Sequence, residues 1–161
     1  MSSDLPIVAR LKKELAEYRH EMHHELPKQI EEARAHGDLK ENAEYHAAKE
    51  RQGMLNARIG TIEGRLAELA MYSMASIPKD RAGYGSRLVV EDLDSGEEFT
   101  YELAFSEESD PDQGKVSLDS PFGQAFIGRQ VGDEISVQTP KGKRTYELLK
   151  IITIHEILGE S

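Results

Sequence analysis

The sixteen residues from Gly37 to Gln52 read G-D-L-K-E-N-A-E-Y-H-A-A-K-E-R-Q, with Asp38 and Glu41 three positions apart where one helical pattern stops and another begins. Carboxylates at i and i+3 lie on one face of a helix start and can share one hard cation or an ordered water. Magnesium takes oxygen ligands and keeps several waters, so one or two carboxylates suffice when another site already holds part of its shell. D-x-x-E is equally a capping box, with Asp38 accepting from the N–H of Glu41 and Glu41 reaching back, and acids in a first turn are favoured by the helix dipole. The two roles are compatible, because a cap holds carboxylates anionic and oriented.

A second constellation competes with it. His20-Glu21-Met22-His23-His24 satisfies H-E-x-x-H, the pattern that puts two zinc ligands on one helix face with a glutamate as general base. A zinc peptidase also needs a third protein ligand, a cleft and an open coordination position. Here the motif falls in a helical stretch with Met22 on its apolar seam, so His20 and His24 read as surface histidines with at most incidental affinity for zinc. His36, His46 and His155 show no partner spacing, although His46 follows the acidic pair by about one to two turns.

These residues must be positioned by the rest of a chain of 161 residues, enough for one ordinary domain or two small ones. Leu5, Val8, Leu11, Leu15, Tyr18 and Met22, then Leu26, Ile30 and Ala33 after one slip, recur at steps of three and four. The pattern resumes beyond Gly37 with Leu39, Ala43, Ala47, Met54, Ile59, Ile62, Leu66 and Leu69. Two amphipathic helices with so short a link pack antiparallel. At about 1.5 Å per residue the hairpin spans roughly 45 Å, far enough to deliver the acidic pair into another molecule's cavity. Pro27 is expected to kink or break the first helix, since it lacks an N–H and clashes with the preceding turn.

After Ile77-Pro78 the period changes to two. Arg87 to Asp92 and Glu97 to Ala104 read as a hairpin around Asp94-Ser95-Gly96, and Glu134 to Gln138 with Lys143 to Ile154 as another around Thr139-Pro140-Lys141-Gly142. Lys115 to Leu118 reads as a short strand, and Pro121 to Ile127 as a short helix with Ser120 at its N-cap. The fold class is therefore α+β in two domains: residues 1–75 form a helical coiled-coil hairpin with an acidic tip, and residues 78–161 an antiparallel sheet with one small helix.

Charge constrains the partners. Residues 1–77 hold 11 Lys and Arg against 13 Asp and Glu, net −2; residues 78–161 hold 9 against 17, net −8. Neither half offers the cationic face that displaces counterions from nucleic acid, so autonomous DNA binding is not expected, and a role on nucleic acid would run through a protein partner. There is no cysteine, which removes disulfides and thiol chemistry and suits a reducing compartment. No apolar run reaches transmembrane length, and the first ten residues lack a signal-peptide pattern, so a cytoplasmic, membrane-free protein is expected; a monomer is expected as well.

The run Gly37 to Gln52, preceded by Pro27-Lys28-Gln29-Ile30-Glu31-Glu32-Ala33-Arg34, closely resembles the N-terminal coiled coil of the Gre-type bacterial transcription elongation (transcript cleavage) factors, the GreA-like ones in particular. The second half resembles that family's FKBP-like C-terminal domain through Ser117-Leu118-Asp119-Ser120-Pro121, Phe126-Ile127-Gly128 and Gly132-Asp133-Glu134. The resemblance implies an accessory factor that docks on backtracked bacterial RNA polymerase and inserts its hairpin through the secondary channel. There it would stimulate the polymerase's own cleavage of the nascent RNA 3′ end. Asp38 and Glu41 would hold a second Mg2+ and its water, shared with the polymerase active site; no cofactor of the protein's own is implied. Asn42 and Tyr45 would support the tip, and Asp119, Ser120 and Pro121 would contact the rim of the channel. The chain departs from the family at Phe122-Gly123-Gln124, where a basic residue is common.

Two further readings accompany this one. An FKBP-like domain suggests prolyl isomerase activity, which needs an aromatic-lined pocket, and fold does not carry function. A Gre-like antagonist would occupy the channel without promoting cleavage; such relatives alter the tip acids, whereas Asp38 and Glu41 stand here in the cleavage-competent pattern.

Overall fold

The computed structural model describes residues 5–37 and 42–159, and divides the chain into two compact units, 1–72 and 73–161. Asp38 and Glu41 lie outside the described residues.

In the first unit α1 spans Pro6–His20, a π-helical turn follows over Glu21–Glu25, and α2 spans Leu26–Ala35; α3 runs from Ala43–Leu69. The contacts between them make the hairpin antiparallel: Asn42 meets Ala33, Arg51 meets Glu21, and Glu63 meets Arg19, each pair farther from the link than the last. Pro27 is accommodated by the π turn rather than by a sharp break. Leu26 N–H reaches back five residues to Glu21 O, so the turn is already wide where the proline has no hydrogen to donate. The same wide turn explains the slip in the apolar seam. Tyr18, Met22, Leu26 and Ile30 follow each other at three successive steps of four, and an inserted residue lets them stay on one face.

On α3 the expected seam holds at Ile59, Ile62, Leu66 and Leu69 and differs before them. Ala48, Leu55, Ile62 and Leu69 are buried at strict heptad spacing, with Tyr45, Gln52, Ile59 and Leu66 half-buried three residues before each. Ala43, Ala47 and Met54 face solvent, Met54 at 58%. The polar Gln52 occupies a seam position, so apolar periodicity alone slid the register by one residue. Glu21 takes both arms of the Arg51 guanidinium at 2.7 and 2.9 Å, and that hydrogen-bonded partner holds its carboxyl below the ordinary glutamate range.

The second unit is a five-stranded sheet in the order β3-β2-β1-β5-β4, where β1 is Arg87–Asp92, β2 Glu98–Ala104, β3 Lys115–Ser117, β4 Glu134–Thr139 and β5 Gly142–Ile152. Both expected hairpins are present. Asp92 Oδ1 accepts from the N–H groups of Asp94 and Ser95 and closes the first turn. Thr139 Oγ1 accepts from Lys141 N–H and donates to Gly142 O in the second, where Gly142 takes φ +114°.

Two expectations need correction. The sheet is mixed, not wholly antiparallel, because β3 pairs parallel with β2 after the 105–114 segment carries the chain back along the sheet. Ile154 is not strand: Thr153 Oγ1 accepts from Glu156 N–H and caps a short helix α5, Ile154–Ile157. A helix α4, Pro121–Phe126, covers the sheet and buries Phe126 against Leu88, Val90, Leu103, Val137 and Leu148.

Candidate functional site

At the tip the chain turns between α2 and α3, and Gly37, at φ +123°, leaves α2 in a conformation that disfavours a side chain. The N-cap of α3 is Asn42, not Asp38. Asn42 sits in extended backbone and its Oδ1 accepts from Tyr45 N–H at 3.0 Å. Its Nδ2 donates to Ala33 O, a carbonyl in the last turn of α2 that also accepts from His36 N–H. One side chain thus joins the two helix ends on either side of the acidic pair. The α3 cap is therefore independent of Asp38 and Glu41.

Tyr45 lies in the same clasp. Its ring receives the Arg34 guanidinium at 5.9 Å from the centroid and meets His46 edge-on at 5.8 Å. His36 Nδ1 stands 3.7 Å from Glu44 Oε2 across the link. A groove of about 390 Å³ opens behind, between Gln29, Glu32, His36, Glu44, Ala47 and Arg51.

Asn42→Ala is expected to cost the hairpin about 1 to 2 kcal/mol, since it deletes a cap and the bridge to Ala33 together. Asn42→Asp keeps the capping oxygen and loses the donor, so it should fall between the two. Thermal unfolding of the 1–161 chain with far-ultraviolet circular dichroism checks the order. Equal melting temperatures for all three would show that the clasp contributes nothing.

The histidine motif is not brought to a metal site. His20, at the end of α1, and His24, in the π turn, are exposed with ring centroids 4.9 Å apart, and Glu25 Oε1 lies 3.8 Å from His20 Nε2, but Glu21 is engaged by Arg51. Among the described residues no group of three or more His, Cys, Asp or Glu side chains could hold a metal ion. His155, which showed no partner in the sequence, is buried and donates from Nε2 to Ile77 O at 2.9 Å, a contact across 78 positions. It ties the start of the second unit to its last helix.

In the second unit Ser120, the N-cap of α4, accepts from Gly123 N–H at 3.1 Å and donates to Ser117 O at 2.6 Å. Pro121 follows at the first helical position, where its missing N–H costs nothing. Asp119 and Pro121 are exposed, and Ser120 is half-buried. The unusual Phe122 is absorbed by the fold: its ring stacks on Phe126 at 4.3 Å and meets Tyr101 edge-on at 4.5 Å. Burial pushes the phenols of Tyr101 and Tyr146 above their ordinary range and keeps them neutral. Beside them an apolar groove of about 320 Å³ is lined by Val116, Pro121, Phe122, Val137 and Pro140.

Both halves of the chain match known proteins. Residues 7–70 match the family described as transcription elongation factor, N-terminal, and residues 77–153 match transcription elongation factor, GreA/GreB, C-term. A transcription elongation factor GreA from Desulfovibrio desulfuricans is 45% identical over 141 residues, covering 88% of this chain and 86% of that one. One from Anaeromyxobacter sp. is 40% identical over 151 residues, covering 94% and 91%. Among solved structures, GreA factor homolog 1 of Thermus thermophilus is 31% identical, covers 90% of this chain and 94% of that chain, and superposes with a TM-score of 0.42. With both family regions present in order and such identity along nearly its whole length, the chain belongs to the GreA/GreB family of transcription elongation factors.

Proposed function

We propose that this protein is an accessory factor that binds backtracked bacterial RNA polymerase through its secondary channel and stimulates the polymerase's own cleavage of the nascent RNA 3′ end, rescuing arrested complexes. The observation that carries the reading is the acidic pair Asp38 and Glu41 at the link of the helical hairpin, between a glycine that ends α2 and an asparagine that clasps both helix ends.

Asp38 and Glu41 fit a hard cation, being two anionic oxygen donors three residues apart. They would hold Mg2+ jointly with the polymerase. That ion supplies activation of water and screening of phosphoryl charge when bound. This chain's own work is to bring the anionic oxygens to the site and hold them there, with Asn42 and Tyr45 supporting the tip. Asp119, Ser120 and Pro121 dock on the channel rim, their backbone fixed by the α4 cap. The protein acts in the cytoplasm as a monomer; no helix among its described residues is long and apolar enough to cross a membrane.

The test is transcript shortening by a halted, backtracked polymerase. Added protein should shorten the RNA from its 3′ end, and the protein with RNA alone should not, because two carboxylates by themselves do not build a tight magnesium site. RNA hydrolysis without polymerase would make it a nuclease, and binding without shortening would make it a channel-occupying antagonist. Either result overturns the reading.

A further inference from the structure

Asp119, on the docking reading above, is the charge of the docking motif, and a serine from a distant turn holds its carboxylate. Ser106 opens a 3-10 turn, Ser106–Glu108, just after β2, and its Oγ donates to Asp119 Oδ2 at 3.1 Å. Ser117, at the end of β3, accepts from Asp119 N–H at 3.1 Å, and its Oγ lies 3.1 Å from Ser106 Oγ. The donors in this cluster follow from chemistry. A carboxylate only accepts, so the Ser106 hydrogen goes to Asp119; the Ser117 hydrogen is then left for Ser106 Oγ. The result is a closed ring of one sense: Asp119 N–H to Ser117, Ser117 to Ser106, Ser106 to the Asp119 carboxylate. Bonds so linked polarise one another.

The supports of the ring are themselves fixed. Glu108 accepts from Tyr84 Oη–H at 2.9 Å and from Phe105 N–H at 3.3 Å, and the Tyr84 and Phe105 rings stack at 4.5 Å. The parallel pairing of β3 with β2 is what places residue 106 beside residue 117. One carboxylate oxygen is engaged, which leaves the lone pairs of the other for a cation or N–H of the partner.

We propose that Ser106 and Ser117 are positioning residues for docking: their ring aims the Asp119 carboxylate before the partner arrives. The affinity of this protein for polymerase then depends on a serine outside the Asp119-Ser120-Pro121 motif. Preorientation of this kind raises affinity by removing the cost of ordering a side chain on binding.

The experiment is a competition-binding series on polymerase with the full chain: parent, Ser106→Ala, Ser106→Thr, Asp119→Ala and the double alanine variant. Ser106→Ala should bind about fivefold more weakly, as expected for loss of a hydrogen bond to an exposed charged group, and Ser106→Thr, which keeps the hydroxyl, should match the parent. Once Asp119 is alanine, the Ser106 change should have no further effect. Parental affinity for Ser106→Ala, failure of threonine to restore binding, or additive losses in the double variant would each overturn the positioning role while leaving docking through Asp119 intact. Undiminished binding by Asp119→Ala overturns the docking reading itself.

Discussion

Changing Asp38 to Asn and Glu41 to Gln together should abolish transcript-cleavage stimulation while the protein still folds and still competes for polymerase. Each change removes an anionic oxygen and keeps the shape of the side chain. The loss should be on the order of a hundredfold or more, since even partners of metal ligands typically contribute ten- to a hundredfold. The fold should hardly register it. The α3 cap belongs to Asn42, whose bonds to Tyr45 N–H and Ala33 O involve neither acid. Melting temperature should therefore stay within a degree or two of the parent, well short of the shift from losing a cap. Either single variant should be partly rescued by raised magnesium, because one remaining carboxylate binds more weakly but still binds. Full cleavage activity from a folded double variant would falsify the metal-holding role and leave the acids without a chemical part.

The second large effect is expected at Gly123. A Cβ built on it would collide with Ser117 O and lie 2.8 Å from Leu118 Cα, both backbone atoms that cannot swing aside. The helix α4 sits directly on the chain between β3 and the docking motif, and Gly123 N–H bonds the Ser120 cap. Gly123→Ala must lift the helix, loosen Phe126 in the core and displace Asp119 to Pro121 with it. A cost of about 2 to 3 kcal/mol, with a melting temperature lower by about 10 to 20 °C, is expected for overpacking in a domain of this size. Docking on polymerase should weaken in step. Gly53→Ala in α3, where nothing lies within 4 Å, is the control and should be neutral or slightly stabilising. An unchanged melting temperature for Gly123→Ala would show that α4 does not pack so closely.

Gly123 also marks how far the sequence alone could be read. Its neighbours Ser120 and Pro121 announced a helix start, because a capping hydroxyl and a proline without an N–H act within one turn. That a Cβ there would collide with the Ser117 carbonyl was invisible, since Ser117 reaches the glycine only through the fold. The hairpins around Asp94-Ser95-Gly96 and Thr139-Pro140-Lys141-Gly142 were legible for the same local reason: period-two strands flank short turns whose side chains bond their own backbone.

Other features required contacts between distant residues. Three residues, Lys115–Ser117, do not encode a direction, so the parallel pairing with β2 was settled by where the 105–114 segment brings the chain. The α3 seam slid by one position because Gln52 is polar yet half-buried against the facing helix, and only that helix distinguishes Ala48 and Leu55 from Ala47 and Met54. The family, the hairpin and the acidic pair could be read from the sequence because they rest on residue type and short-range spacing. Which side chains clasp the tip, hold Asp119 and bury His155 was decided by tertiary structure: Ala33 to Asn42, Ser106 to Asp119 and Ile77 to His155 are bonds that no local pattern specifies.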